Sequence, residues 1–169
     1  MLGLQVRQSI VHSHQELLVL LRGPKAVYRY PVGWLEEDLI VVAEWARPKK
    51  FSGAFGIVLG GVSGAAMLAN LLDLEFIRNW EEVRNDTIVF DDLSDSGDTI
   101  LAYERAWGFT PKFAALFSNP ATRRKPDIWL YDKIVPWIRF PGETKEGSNY
   151  RRRYLEDLRR SREKFESRE

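Results

Sequence analysis

The chain has 169 residues, enough for one domain with a substantial core. Lys and Arg number 25 against 24 Asp and Glu, so the net charge of +1 singles out no polyanionic partner. The absence of cysteine excludes a disulfide framework and a thiolate metal site, and no apolar run approaches the roughly 20 residues that span a membrane. The N-terminus also lacks a basic region leading into an apolar signal core. Together these features predict a soluble, cytoplasmic domain without repeats or low-complexity segments.

In chain order, Ser13 and Glu16 form a capping box ahead of Leu17, Leu18, Leu20 and Leu21, and Gly23-Pro24 ends that short helix. Residues 1–25 are thus read as an N-terminal helical extension. His12 and His14 make a His-x-His pair, but without a third ligand nearby they read as polar residues at a helix entrance. A strand is predicted over 26–30. Leu35, Leu39, Val42 and Trp45 then fall near one face of an amphipathic helix over 34–47. An apolar strand over 55–59 runs through Gly60-Gly61-Val62-Ser63-Gly64 into a small-residue helix over 65–72. Strand, glycine turn and helix is an α/β signature. Such a turn either packs helix on strand or lets the backbone approach a ligand closely. Residues 75–77 form a short predicted strand, and 79–85 a polar connection.

Thr87-Ile88-Val89-Phe90-Asp91-Asp92-Leu93-Ser94-Asp95-Ser96-Gly97-Asp98-Thr99 is the most informative stretch. Its first half reads as a buried central strand, and its second half leads into a helix over 100–107. The loop between them, with its backbone N–H groups and the helix dipole, forms an anion cradle suited to phosphate. Asp91 and Asp92 at the strand end suit hydroxyls or a hard cation such as Mg²⁺. Phosphate, sugar and metal at one strand end point to a sugar phosphate. An EF-hand loop is excluded by Leu93 at a ligand position, a phosphatase Asp-x-Asp motif fails for the same reason, and the P-loop pattern is absent.

Strands are predicted over 112–117, 126–131 and 135–140. Residues 148–169 carry Arg152/Glu156, Arg153/Asp157, Arg159/Glu163 and Arg162/Glu166 pairs at helical spacing, with a narrow stripe of Leu155, Leu158 and Phe165. This C-terminal charged helix reads as a solvated face rather than a nucleic-acid site, because its acids nearly match its bases.

Asp91 to Thr99 resembles the phosphoribosyl pyrophosphate (PRPP) motif of the type I phosphoribosyltransferases: a hydrophobic strand, two acids, then Asp-Thr-Gly-x-Thr, with Ser96 in place of the first Thr. Val58-Leu59-Gly60-Gly61 is similar to the pyrophosphate loop of the xanthine-guanine group, with Leu59 where that group has a basic residue. Leu116-Phe117-Ser118-Asn119-Pro120 and Pro136-Trp137-Ile138-Arg139-Phe140-Pro141-Gly142-Glu143 resemble its base-binding end, with Asn119 where it has a lysine that donates to a purine 6-oxo group. The resemblance covers about 30–143.

It implies a mostly parallel sheet flanked by helices, in a single domain with its core at about 26–143 and ligands at the carboxyl ends of the strands. Asp95, Ser96, Gly97, Asp98 and Thr99 would bind the 5-phosphate, and Leu59, Gly60 and Gly61 the pyrophosphate. Trp137, Ile138 and Asn119 would bind the base. Asp91 and Asp92 would address the ribose hydroxyls or hold Mg²⁺, with Asp95 accepting the base's proton. The implied partners are PRPP, a nucleobase or nucleotide, and a second copy of the chain in a homodimer, with neither membrane nor nucleic acid. The mobile loop that the family inserts before its central motif is shortened here to a dozen residues. Two functions follow: a phosphoribosyltransferase joining a purine or related base to ribose 5-phosphate, or a PRPP- or nucleotide-binding regulator on the same fold.

Overall fold

The computed structural model describes residues 27–31, 33–57 and 60–140. At its centre lies an all-parallel sheet of five strands: β2 (Gly53–Gly56), β3 (Glu75–Ile77), β4 (Thr87–Ser94), β5 (Lys112–Ser118) and β6 (Ile128–Asp132). Their order is β3-β2-β4-β5-β6. A separate pair, β1 (Val27–Arg29) and β7 (Trp137–Arg139), is also parallel. The helices are α1 (Trp34–Ala46), α2 (Gly61–Leu72) and α3 (Asp98–Trp107). This is the mostly parallel α/β architecture expected from the sequence. The helical extension expected at 1–25 and the charged helix expected at 148–169 lie outside the described residues.

Alternation along β4 divides the core. Ile88 and Phe90 join Leu39, Val42, Ala65 and Leu68 on the face covered by α1 and α2, while Val89 joins Phe55, Ile100, Tyr103 and Phe113 beneath α3. Burial on both faces explains the nearly continuous apolar run ahead of the acids. Each fully buried Leu or Ile contributes about 1.5–3 kcal/mol. Gly64 shows how tightly α2 sits on β4: a Cβ there would press into the Phe90 ring. Gly64→Ala is therefore expected to cost about 1–3 kcal/mol through overpacking, read as a lower denaturant midpoint at unchanged slope.

Several element bounds differ from expectation for reasons of pairing. β2 lies at Gly53–Gly56 rather than 55–59, because both its neighbours pair there: Gly53 opposes Glu75 on one side and Thr87 on the other. β4 continues through both acids to Ser94, because β5 accompanies it to the pair Ser94–Ser118. Helices α2 and α3 start earlier than expected, at Gly61 and Asp98.

A buried polar clamp joins the layers. Asp38 of α1 accepts hydrogen bonds from the Tyr30 hydroxyl (2.5 Å) and, on its other oxygen, from the Tyr131 hydroxyl of β6 (2.6 Å). Burial, partly offset by the Tyr131 and Tyr30 hydrogen bonds, pushes the Asp38 carboxyl up to about 6. Burial, with the facing Asp38 charge, raises both tyrosines well above the usual phenol range.

The connection from β3 back to β4, residues 78–86, crosses β2 with a 3₁₀ turn at Trp80–Glu82. The Trp107 indole N–H donates to the Trp80 carbonyl at 2.8 Å, and the Arg84 guanidinium pairs with Glu75 at 3.0 Å. Among the described residues this crossing carries no lid. No helix among them is long and apolar enough to cross a membrane.

Candidate active site

The sheet switches direction between β2 and β4: from β2 the chain goes outward to β3, and from β4 it goes the other way to β5 and β6. In open α/β sheets, the crevice at such a switch point, beyond the strands' carboxyl ends, is where ligands bind. Here it lies between the glycine turn after β2 and the Asp-rich loop after β4.

The two meet closely. A Cβ on Gly60 would fall on the Asp92 carboxylate, and one on Gly61 would fall on the Phe90 carbonyl. Glycine is therefore required at both positions for the turn to lie against the strand end. The turn is closed by the Gly61 N–H donating to the Ile57 carbonyl at 2.8 Å, and the Ile57 N–H donates across to Phe90 at 2.8 Å. Leu59, expected in the pyrophosphate loop, lies outside the described residues.

Asp91 and Asp92 are both buried, and strand alternation sends them to opposite faces. Asp92 faces the glycine turn, whereas Asp91 lies on the α3 side and accepts the Asp92 N–H through its own Oδ1 at 3.0 Å. Among the described residues no group of three or more His, Cys, Asp or Glu side chains gathers to hold a metal. One or two carboxylates beside a polyphosphate are nevertheless the set Mg²⁺ ordinarily uses, so the chemistry of these donors fits the ion.

Beyond β4, Gly97 takes a left-handed conformation (φ 80°) and caps α3, which places Asp98 and Thr99 in the first helical turn. The first N–H groups of a helix have no partner within it, so this turn has the donors that suit an anion. The Ser96 hydroxyl accepts the Asp98 N–H at 3.3 Å. The segment after β5 covers the loop. A Cβ on Gly97 would come 2.7 Å from the Arg124 nitrogen and 2.8 Å from the Thr122 hydroxyl. The Arg123 N–H donates to the Ser96 carbonyl at 3.0 Å, while its guanidinium pairs with Asp98. Arg123 thus sets a cation beside the loop from Asp95 to Thr99, a contact sequence reasoning missed.

Asp95 is held from two directions: Asn119 Nδ2 donates to Oδ1 at 2.8 Å and Lys133 Nζ to Oδ2 at 2.8 Å. The Asn119 side-chain oxygen accepts the Ala121 N–H at 3.0 Å. Asn119, expected to read the base, is thus oriented onto the carboxylate expected to serve as proton acceptor. Lys133 was not foreseen. Its available signal was a basic residue at the carboxyl end of an edge strand, the end where ligands gather.

At the base-binding end, Trp137 and Ile138 of β7 divide their tasks. Ile138 packs into the core, while the Trp137 ring is 56% exposed beside Val27, its partner on β1. An exposed indole offers a stacking surface. The structure brings the acid pair, glycine turn and Asp95–Thr99 to one edge. It separates Ile138, whose side chain is buried in the core.

No protein-family model matches the chain. Over 143 residues it is 28% identical to a xanthine-guanine phosphoribosyltransferase of Desulfotalea psychrophila, covering 69% of this chain and 87% of that protein. Its fold is similar to that of a purine phosphoribosyltransferase from Pyrococcus horikoshii, with a TM-score of 0.61 and 21% identity over 70% of this chain and 94% of that one. It is also similar in fold to a Neisseria gonorrhoeae protein crystallised with bound ppGpp. That match has a TM-score of 0.55 and 17% identity over 78% of this chain and 97% of the other. The chain therefore has the type I phosphoribosyltransferase fold, and it is similar in sequence to the purine-using xanthine-guanine group.

Proposed function

We propose that the protein is a phosphoribosyltransferase that joins a purine or related base to the ribose 5-phosphate of PRPP with release of pyrophosphate. The observation that carries this reading is the contact between the Gly60 turn and Asp92, next to the capped loop from Asp95 to Thr99. Pyrophosphate and ribose 5-phosphate are the two ends of PRPP, and this juxtaposition offers a binding feature for each.

In this reading Asp95 to Thr99 hold the 5-phosphate through backbone N–H groups, hydroxyls and the Arg123 guanidinium. Gly60 and Gly61 admit the pyrophosphate against the backbone, and Trp137 stacks on the base. Asp92 faces the ribose and stabilises positive charge developing at the anomeric carbon, while Asp91, on the α3 side, holds the Asp92 main chain through its N–H. Fixing the sugar beside Asp92 supplies most of the rate through positioning and preorganised electrostatics. Asp95 accepts the proton that the base gives up. Asp92, on the glycine-turn side, would hold Mg²⁺, which when bound neutralises pyrophosphate charge.

A second reading, a PRPP- or nucleotide-binding regulator, is favoured by the tied-down crossing at 78–86. Without a closing loop, water reaches the reaction centre. The fold neighbour holding ppGpp is consistent with a guanine nucleotide as the ligand in that case. Pyrophosphate release from PRPP and Mg²⁺ across a panel of free bases separates the two. Base-dependent release that chelation of the metal abolishes is the expected result. Tight PRPP or nucleotide binding with no release for any base would establish the regulator instead.

A further inference from the structure

Among the described residues, the ribbon of β1 and β7 pairs with no strand of the five-stranded sheet, yet it carries Trp137. Its place on the body is therefore set by side chains. Tyr28 of β1 opposes Ile138 of β7, and both are buried, so alternation turns the next opposed pair, Val27 and Trp137, outward. Tyr28 and Ile138 hold the ribbon by apolar contact, the Tyr28 ring lying 6.3 Å from that of Phe117 in β5. Such contact rewards burial without fixing a direction.

Tyr30, just past β1, supplies the direction. Its N–H donates to the carbonyl of Arg139, the last residue of β7, at 3.0 Å, and its ring lies 5.5 Å from that of Phe140. The same ring meets Phe117 edge-on at 5.9 Å. Its hydroxyl donates to one oxygen of Asp38 in α1, whose other oxygen accepts from Tyr131 of β6. A single buried side chain thus spans the end of β7, the central sheet and α1. A buried polar contact whose members are all satisfied specifies one arrangement among the close-packed ones.

We propose that Tyr30 is a positioning residue of the base subsite: its hydroxyl, held by Asp38, latches the β1–β7 ribbon so that the Trp137 ring stands ready to stack. Tyr30 touches no ligand in this role and acts through Trp137, and the role rests on the phosphoribosyltransferase-like reading of the site. The test pairs hydrogen exchange of the ligand-free protein with calorimetric affinities for GMP, which carries a base, and PRPP, which does not. Tyr30→Phe keeps the ring and removes the hydroxyl. Amides of 137–139 should then exchange about ten- to a hundredfold faster, the span of one hydrogen bond to a charged group. Tyr131→Phe removes the other hydroxyl from the same carboxylate. It should speed exchange in β4 but leave 137–139 unmoved, because its bond outlasts the opening of the ribbon. Tyr30→Phe should also weaken GMP about three- to tenfold at unchanged PRPP affinity, as the stacking-competent fraction falls. In a Trp137→Ala background the same substitution should leave GMP affinity unaltered. Unmoved 137–139 amides in Tyr30→Phe, equal losses for GMP and PRPP, or a GMP loss that persists undiminished without Trp137 overturns the positioning role alone. A wild type that binds neither GMP nor PRPP overturns both that role and the reading beneath it.

Discussion

Asp92→Asn is expected to lower base-dependent pyrophosphate release at least about a hundredfold, the scale of removing one preorganised electrostatic group from a reaction centre. The substitution keeps volume and planarity and removes only charge, at a position buried between β4 and the glycine turn. Its effect on folding should accordingly be small. Gly60→Ala approaches the same contact from the other side. It leaves the carboxylate intact but sets a methyl group where that carboxylate now lies. This variant should lose turnover comparably and also lose stability, because either the turn or the end of β4 must shift. Steady-state pyrophosphate release read beside a thermal melt distinguishes the two. Full activity in Asp92→Asn would remove Asp92 from the mechanism.

The second large effect concerns stability. Asp38→Ala leaves the hydroxyls of Tyr30 and Tyr131 without their shared acceptor, and each buried hydroxyl so orphaned costs about 1–3 kcal/mol. Asp38→Asn should be much milder, since an amide can accept from one hydroxyl and donate to the other. The pair also differ in pH dependence. The Asp38 carboxyl titrates at about 6 in the folded protein, above its ordinary value, so the folded state favours the protonated form. Its contribution is fully present below about pH 4 and is lost as pH rises through about 6, amounting to roughly 3 kcal/mol at most. Urea midpoints measured from pH 4 to 7 should show this decline in the wild type and a flatter profile in Asp38→Asn. An identical slope in both proteins would mean that Asp38 does not titrate in this window.

The parts of the site that are local in sequence were the legible ones. The run from Thr87 to Thr99 carries its strand, acids, loop and helix start in consecutive residues, and β3 was anticipated with its observed bounds. Gly60 and Gly61 were legible as a turn, but their need for glycine comes from Asp92 and Phe90, about thirty positions later, which no local pattern reports. The bounds of β2 shifted because strand limits answer to the neighbours that pair, and Gly-Ala has little intrinsic preference for a strand. Lys133 and Arg123 were illegible for a related reason. Each lies in a polar connection, and each gains meaning only when parallel strands align three carboxyl ends. Asn119 was noticed as a departure from the family pattern. Its engagement with Asp95, together with that of Lys133, gives the departure a physical account.

The pairing of β1 with β7 has a kinetic consequence. Val27 and Trp137 meet across nearly the whole described chain, through two strands of three residues that, among the described residues, pair only with each other. Closing so long a loop carries an entropic penalty that local contacts cannot offset early in folding, so this pair joins after the five-stranded sheet has formed. In the native state it should also be the first unit to open, with amides of 137–139 exchanging with solvent well before those of β4. Under the proposed function, a base stacked on Trp137 would bind only the closed form and so shift that local equilibrium. Occupying the site and finishing the fold would then be one event.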